Sequence, residues 1–224
     1  MRKIHSVSTR FLAAALTCAA LSACRSTSYT SSLSLSGVDH QNELSEAIAM
    51  AVEAQVAGSQ VFGTASVLVT RFTEPGTEMD PDLFDDLLQQ VDLAAEHVEG
   101  GTEHVARVEE SAERLFSSWQ AELDQFSSEA LRAHSEERMT RVDESYDALL
   151  AQLIATDEQL SQALVALRDF VLFFNHNLTP EAIQALRDEN VGLEGVILEV
   201  EKGVEASGQR AEDFDSALHG VPGT

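Results

Sequence analysis

Leu21-Ser22-Ala23-Cys24 closes a short apolar run near the start of the chain. Small residues before a cysteine fit a signal-peptidase groove, and all four positions match a lipobox. The chemistry implied is cleavage before Cys24 and acylation of the new N-terminal cysteine. The upstream residues have the parts of a secretory signal. Arg2, Lys3 and Arg10 form its basic region, and Phe11-Leu12-Ala13-Ala14-Ala15-Leu16 its apolar region, weakly continued through Leu21. That run is too short to span a bilayer, which takes roughly 20 apolar residues. The competing reading is ordinary secretory cleavage near Ala20 or Ala23. One acyl chain anchors marginally and two or more anchor stably. A cysteine carrying three would hold the mature chain permanently. Arg25 follows the cysteine, without the Asp that signals inner-membrane retention. The expected address is therefore the Gram-negative outer membrane, facing the periplasm.

Other chemistry-bearing residues are sparser. A di-iron bundle requires Glu-x-x-His pairs. The residues three before the histidines beyond Cys24 are Gly37, Ala94, Gly101, Leu131, Phe173 and Ser216, and none is Glu. His97 and His104 are seven apart on one helix face, near Glu96, Glu99 and Glu103, which reads as a solvated acidic face. The sequence has no His-Glu-x-x-His, no Gly-x-Ser-x-Gly and no phosphate-binding Gly-x-x-x-x-Gly-Lys-[Ser/Thr]. Glu109-Glu110, Asp85-Asp86 and Glu136-Glu137 are adjacent carboxylates, but in a chain with 38 acidic residues adjacency carries little. No metal or cofactor is expected. Asn175-His176-Asn177 is the most distinctive polar stretch, either a binding corner or a helix-ending turn, because Asn and His suit helix C-termini. Phe170, Phe173 and Phe174 lie beside it and could line an apolar pocket. Trp119 falls on an apolar seam and is expected in the core.

The formal charge is −24, and removing residues 1–23 takes Arg2, Lys3 and Arg10 away and leaves −27. Such acidity argues against nucleic acid and against a body lying flat on anionic lipid. The only cysteines are Cys18, lost with the signal, and Cys24, so the mature chain can form no internal disulfide.

The elements that carry these residues are read as helices. From Arg25 to about Gly37 the chain is rich in Ser and Thr and has little to bury, so 24–38 reads as a flexible tether. Beyond it, apolar residues recur in alternating steps of three and four. One seam runs Leu87, Val91, Ala94, Val98, Gly101, Val105, Val108, Ala112, Leu115, Trp119. A second runs Met139, Val142, Tyr146, Leu149, Leu153, Thr156, Leu160, Ala163, Leu167, Phe170, Phe174. A third runs Ile183, Leu186, Asn190, Leu193, Ile197, Val200, Val204, Ser207, Ala211, Phe214, Leu218. Such seams belong to long helices packed at shallow angles. Four helices are predicted, over about residues 39–72 and 81–126, then from Ser127 or Ser128 to about 174, and over 180–218. The first is the least regular, and Gly100-Gly101 is expected to weaken or kink the second. Pro81 and Pro180 are first-turn prolines, placed after Asp80 and Thr179 as caps. The fold class expected is all-α: a coiled-coil-like bundle of about four long antiparallel helices. Its domains would be a signal peptide at 1–23, a tether at 24–38 carrying lipidated Cys24, and a helical body at 39–219.

Particular residues also carry a family likeness. They are Ser118-Trp119-Gln120-Ala121-Glu122-Leu123-Asp124-Gln125-Phe126-Ser127 with Ala130-Leu131-Arg132, Leu167-Arg168-Asp169-Phe170-Val171-Leu172-Phe173, His176-Asn177-Leu178, Ala182-Ile183 and Leu186. With these the chain resembles the bacterial lipoprotein family catalogued as domain of unknown function 2959. The likeness is good from about residue 112 to 218 and lies in pattern alone before that. Asn175 stands where that family typically has Lys. The resemblance implies an envelope location and a long helical body. It implies no reaction and carries over no catalytic residue.

The resulting expectation is a lipid-anchored, non-catalytic envelope protein, structural or protein-binding. It would meet the membrane through its N-terminal lipid, and an envelope protein or a second copy through its helices, with no nucleic acid. A carrier of a small hydrophobic ligand is the alternative, and a metal-dependent enzyme the weakest reading.

Overall fold

The computed structural model describes residues 36–74, 81–176 and 180–220; the side chains of 36, 81, 180–185 and 187–191 lie outside the description. Four helices follow in order: α1 (Ser36–Thr73), α2 (Pro81–Leu123), α3 (Glu129–Phe174) and α4 (Pro180–His219). At 1.5 Å rise per residue they are rods of roughly 55–70 Å. No strand occurs among the described residues.

Successive helices run antiparallel. α1 packs on α2 and α4 and, across one diagonal, on α3, which itself packs on α2 and α4; α2 and α4 occupy the opposite corners. The fold class is the one expected, an all-α antiparallel bundle. The helix starts at Ser36 rather than Asp39, so residues 36–38 of the expected tether belong to α1. α2 ends at Leu123, three residues before the expected Phe126. The tight turn needs those residues: the Gln125 N–H donates to Glu122 O at 3.0 Å and Phe126 N–H to Leu123 O at 3.4 Å. Ser128 then takes extended backbone, φ −96° and ψ 114°, and its hydroxyl accepts from Leu131 N–H. That is an N-cap satisfying one orphan donor of α3.

The seams bury as their spacing predicts. On α3 every seam member from Val142 to Phe174 is buried, and Met139 is half-buried. α2 buries Leu87, Val91, Ala94, Gly101, Val105, Val108, Ala112, Leu115 and Trp119. On α4, Leu186, Leu193, Ile197, Val200, Ser207, Phe214 and Leu218 are buried, while Ile183 and Asn190 lie outside the described side chains. The helix expected to be least regular carries a seam of its own. Leu44, Ile48, Ala51, Gln55, Gly58, Phe62, Ala65, Val69 and Phe72 alternate steps of four and three, and all are buried.

These side chains form two apolar clusters rather than one. The first gathers Phe62 to Phe72, Leu87 to Ala94, Leu160 to Phe174 and Leu186 to Val200. The second gathers Leu44 to Ala51, Val105 to Leu123, Val142 to Leu153, Phe214 and Leu218. α2 passes through Gly100-Gly101 without leaving the helix. A Cβ at 101 would sit 3.2 Å from the Asp157 carboxylate, so the glycine brings α2 close to α3.

Candidate functional site

Each seam loses its large apolar residue at the level between the two clusters. α1 supplies Gln55 and Gly58, α2 Gly101, α3 Thr156, and α4 Gly203 and Ser207, all buried. The Gln55 Nε2 donates to Leu153 O at 2.9 Å and to Asp157 Oδ1 at 2.8 Å. On the other side of α3, Thr156 Oγ1 and Ser207 Oγ are 3.0 Å apart. Gln152 Nε2 donates to Thr156 Oγ1 at 3.1 Å and Gly203 O at 3.3 Å. The bundle thus has a polar waist whose hydrogen bonds tie α3 to α1 and to α4.

Two acceptors in this waist, Gln55 Oε1 and Gln159 Oε1, have no hydrogen-bond partner. A Cβ on Gly203 would collide with Gln159 Oε1 and come within 3.1 Å of Thr156 Oγ1. The glycine therefore leaves the Gln159 side chain room against α4. Gly203→Val should destabilise the bundle by about 1–3 kcal/mol through overpacking. Urea melts of the variant and parent measure it; an unchanged midpoint would mean that α4 does not pack closely here.

Asp157 is the charged member of the waist. Burial pushes its carboxyl above the usual range, opposed by the Gln55 hydrogen bond and the charge of His104. The native state therefore holds the Asp157 proton to higher pH than the unfolded chain does. By linkage, this group's contribution falls as pH rises from the ordinary carboxyl value through the raised one. Asp157→Asn should remove that loss, because its Oδ1 still accepts from Gln55. Melts at acid and neutral pH should show the variant gaining most over the parent at neutral pH. A gain equal at both would contradict the placement.

His97 and His104 share a face of α2, as their spacing predicts, but they meet different neighbours. A Cβ on Gly58 would touch the His97 Cβ at 3.5 Å, whereas His104 acts on Asp157. Among the described residues, no group of three or more His, Cys, Asp or Glu is arranged to hold a metal ion. Trp119 is buried as expected, and its Nε1 donates to Ser135 Oγ at 2.9 Å. The Arg138 guanidinium lies 5.3 Å from the Trp119 ring centre and donates to Leu218 O at 2.6 Å. That bond satisfies a last-turn carbonyl of α4. Burial, with Glu109 and Asp147 nearby, pushes the Tyr146 hydroxyl up to about 12.

At the opposite end of the bundle, Phe72, Phe84 and Phe174 cluster, with ring centres 4.9–6.5 Å apart. Beside them a groove of about 320 Å³ opens between α3 and α4, lined by Ala166, Phe170, Phe173, Leu186 and Leu193, with Asp169 at its edge. The polar stretch next to it closes α3. Asn175 N–H donates to Val171 O at 3.1 Å and His176 N–H to Phe173 O at 3.3 Å, and both residues are exposed. Asn177, like Leu21, Ser22, Ala23 and Cys24, lies outside the described residues.

Nothing local in the sequence marks Gln55 and Asp157. The available signal was the unbroken alternation of α1, in which Gln55 occupies a seam position.

The fold and its waist define a class: a long antiparallel four-helix bundle with a polar layer dividing its core. The chain belongs to the family described as Protein of unknown function (DUF2959), which matches residues 29–218. No curated protein and no solved structure matches it.

Proposed function

We propose that this protein is a lipid-anchored component of the bacterial cell envelope, with Cys24 as its anchor and the bundle as a non-catalytic scaffold or protein-binding module. The observation that carries the reading is Leu21-Ser22-Ala23-Cys24 after a short apolar run, twelve residues before α1 begins at Ser36. Among the described residues no helix is long and apolar enough to cross a membrane, so the lipid is the attachment proposed. With Arg25 rather than Asp after the cysteine, the bundle stands in the periplasm on the outer membrane. Photo-crosslinkers placed along the exposed helix faces in cells test the module: they should trap a defined envelope protein or a second copy. Capture of abundant neighbours alone, in proportion to their abundance, would contradict it.

The groove between α3 and α4 supports a second reading, a binder of a small hydrophobic ligand. Its volume lies at the small end of the roughly 300–1,000 Å³ usual for ligand pockets, and its walls are mostly apolar. Native mass spectrometry of the purified protein should then show an added small-molecule mass that Phe170→Asp removes. Recovery of apo protein alone would leave the scaffold reading standing by itself.

A further inference from the structure

Three large apolar side chains remain exposed at one end of the bundle: Val38 at 52%, Phe126 at 41% and Leu131 at 60%. Val38 is in the first turn of α1, Phe126 in the α2–α3 turn and Leu131 in the first turn of α3. None of them belongs to either core cluster. They share an end because a Cβ on Gly37 would lie 3.4 Å from the Glu122 carboxylate, across the α1–α2 contact. The described chain begins at this same end. Cys24 is twelve residues before Ser36, so even a fully extended connection reaches only about 40 Å.

We infer that this end of the bundle rests on the bilayer, with Phe126 and Leu131 dipping into the boundary between headgroups and acyl chains. The inference rests on the Cys24 anchor for its choice of end. Apolar side chains on a rigid turn gain by leaving water for that boundary. The turn is held by its own hydrogen bonds and by the Ser128 cap, so insertion needs no rearrangement. The charges around it select the lipid. Glu122, Asp124 and Glu129 are exposed, Arg132 is paired with Glu136 at 2.9 Å, and Arg141 with Glu137 at 2.9 Å. Anionic headgroups repel such a surface, and zwitterionic ones do not. The partner that fits is a zwitterionic lipid surface, and the contact stands the bundle end-on.

The test uses the mature protein recovered from cell membranes, in phosphatidylcholine vesicles whose acyl chains carry bromine. A single tryptophan is placed by Phe126→Trp, or by Leu172→Trp near the opposite end, each in a Trp119→Phe background. Bromine should quench most of the emission at 126 and shift it to the blue, and do neither at 172. Phosphatidylglycerol added to the vesicles should weaken the effect. In the unaltered chain, vesicles should slow amide exchange across residues 124–131, which guards against damage from Trp119→Phe. Unquenched emission at 126 with unchanged exchange overturns the inference, whether or not the protein floats with the vesicles. A blue shift that grows with protein concentration without lipid also overturns it and assigns this end to a second copy. Flotation reports the anchor separately: quenching without stable flotation supports the contact while the anchor fails.

Discussion

Phe174→Ala should lower the unfolding free energy by about 3–5 kcal/mol, the usual cost of truncating a fully buried aromatic. The side chain is 1% exposed and closes the core where α3 ends. Its ring centre is 4.9 Å from Phe72 on α1 and 6.5 Å from Phe84 on α2, so one truncation removes ring contacts to two other helices. Asn175 and His176, which follow Phe174, are fixed to the last turn by backbone hydrogen bonds and are exposed, so neither fills the space. The polar waist adds a spatial expectation. The two apolar clusters communicate through hydrogen bonds and glycines rather than through large side chains, so the damage should stay on the Phe174 side. Hydrogen exchange should quicken in residues 62–72, 84–94 and 160–174 before it quickens in residues 142–153. Uniform acceleration along the bundle would mean that the waist does not divide the core into separately opening units.

The second large effect belongs to Cys24. With residues 1–23 exchanged for a cleavable secretory leader that is not lipidated, Cys24→Ser should move the protein from the membrane to the soluble periplasmic fraction. A single acyl chain gives marginal binding, and each further chain adds roughly 0.8 kcal/mol per buried CH₂. Loss of all chains should therefore shift the membrane-to-soluble ratio by far more than about a hundredfold. The proposed end contact through Phe126 and Leu131 would be too small to replace such an anchor. An unchanged ratio would place the attachment elsewhere in the chain.

The long-range order of this bundle was legible because helix periodicity and burial are the same fact seen twice. Val142, Tyr146, Leu149 and Leu153 repeat every three or four residues, and a long helix leaves them one face to bury. First-turn prolines fixed two helix starts, since Pro81 and Pro180 suit a position whose N–H has no partner. The waist was not legible, for two reasons. Apolar periodicity does not register Gln55 and Gly58, so α1 looked irregular although its alternation never breaks. Thr156, Gly101 and Ser207 each pass as a tolerable seam member. That they meet at one level depends on how far each hairpin slides along its partner. Turns set that offset, as the tight 124–128 turn does for α2 and α3. Asp157 was hidden differently: among so many acids, nothing local marks the one that turns inward to Gln55. For the polar turn, Asn175 and His176 proved to close α3, as the chemistry of helix ends allows.

Mass spectrometry of the mature N-terminus tests the central proposal most directly. Protein recovered from cell membranes should yield an N-terminal peptide that begins at Cys24, carrying a thioether-linked diacylglycerol and an amide-linked acyl chain. An unmodified N-terminus at Cys24, at another residue near Ala20, or at Met1 would contradict the lipid anchor.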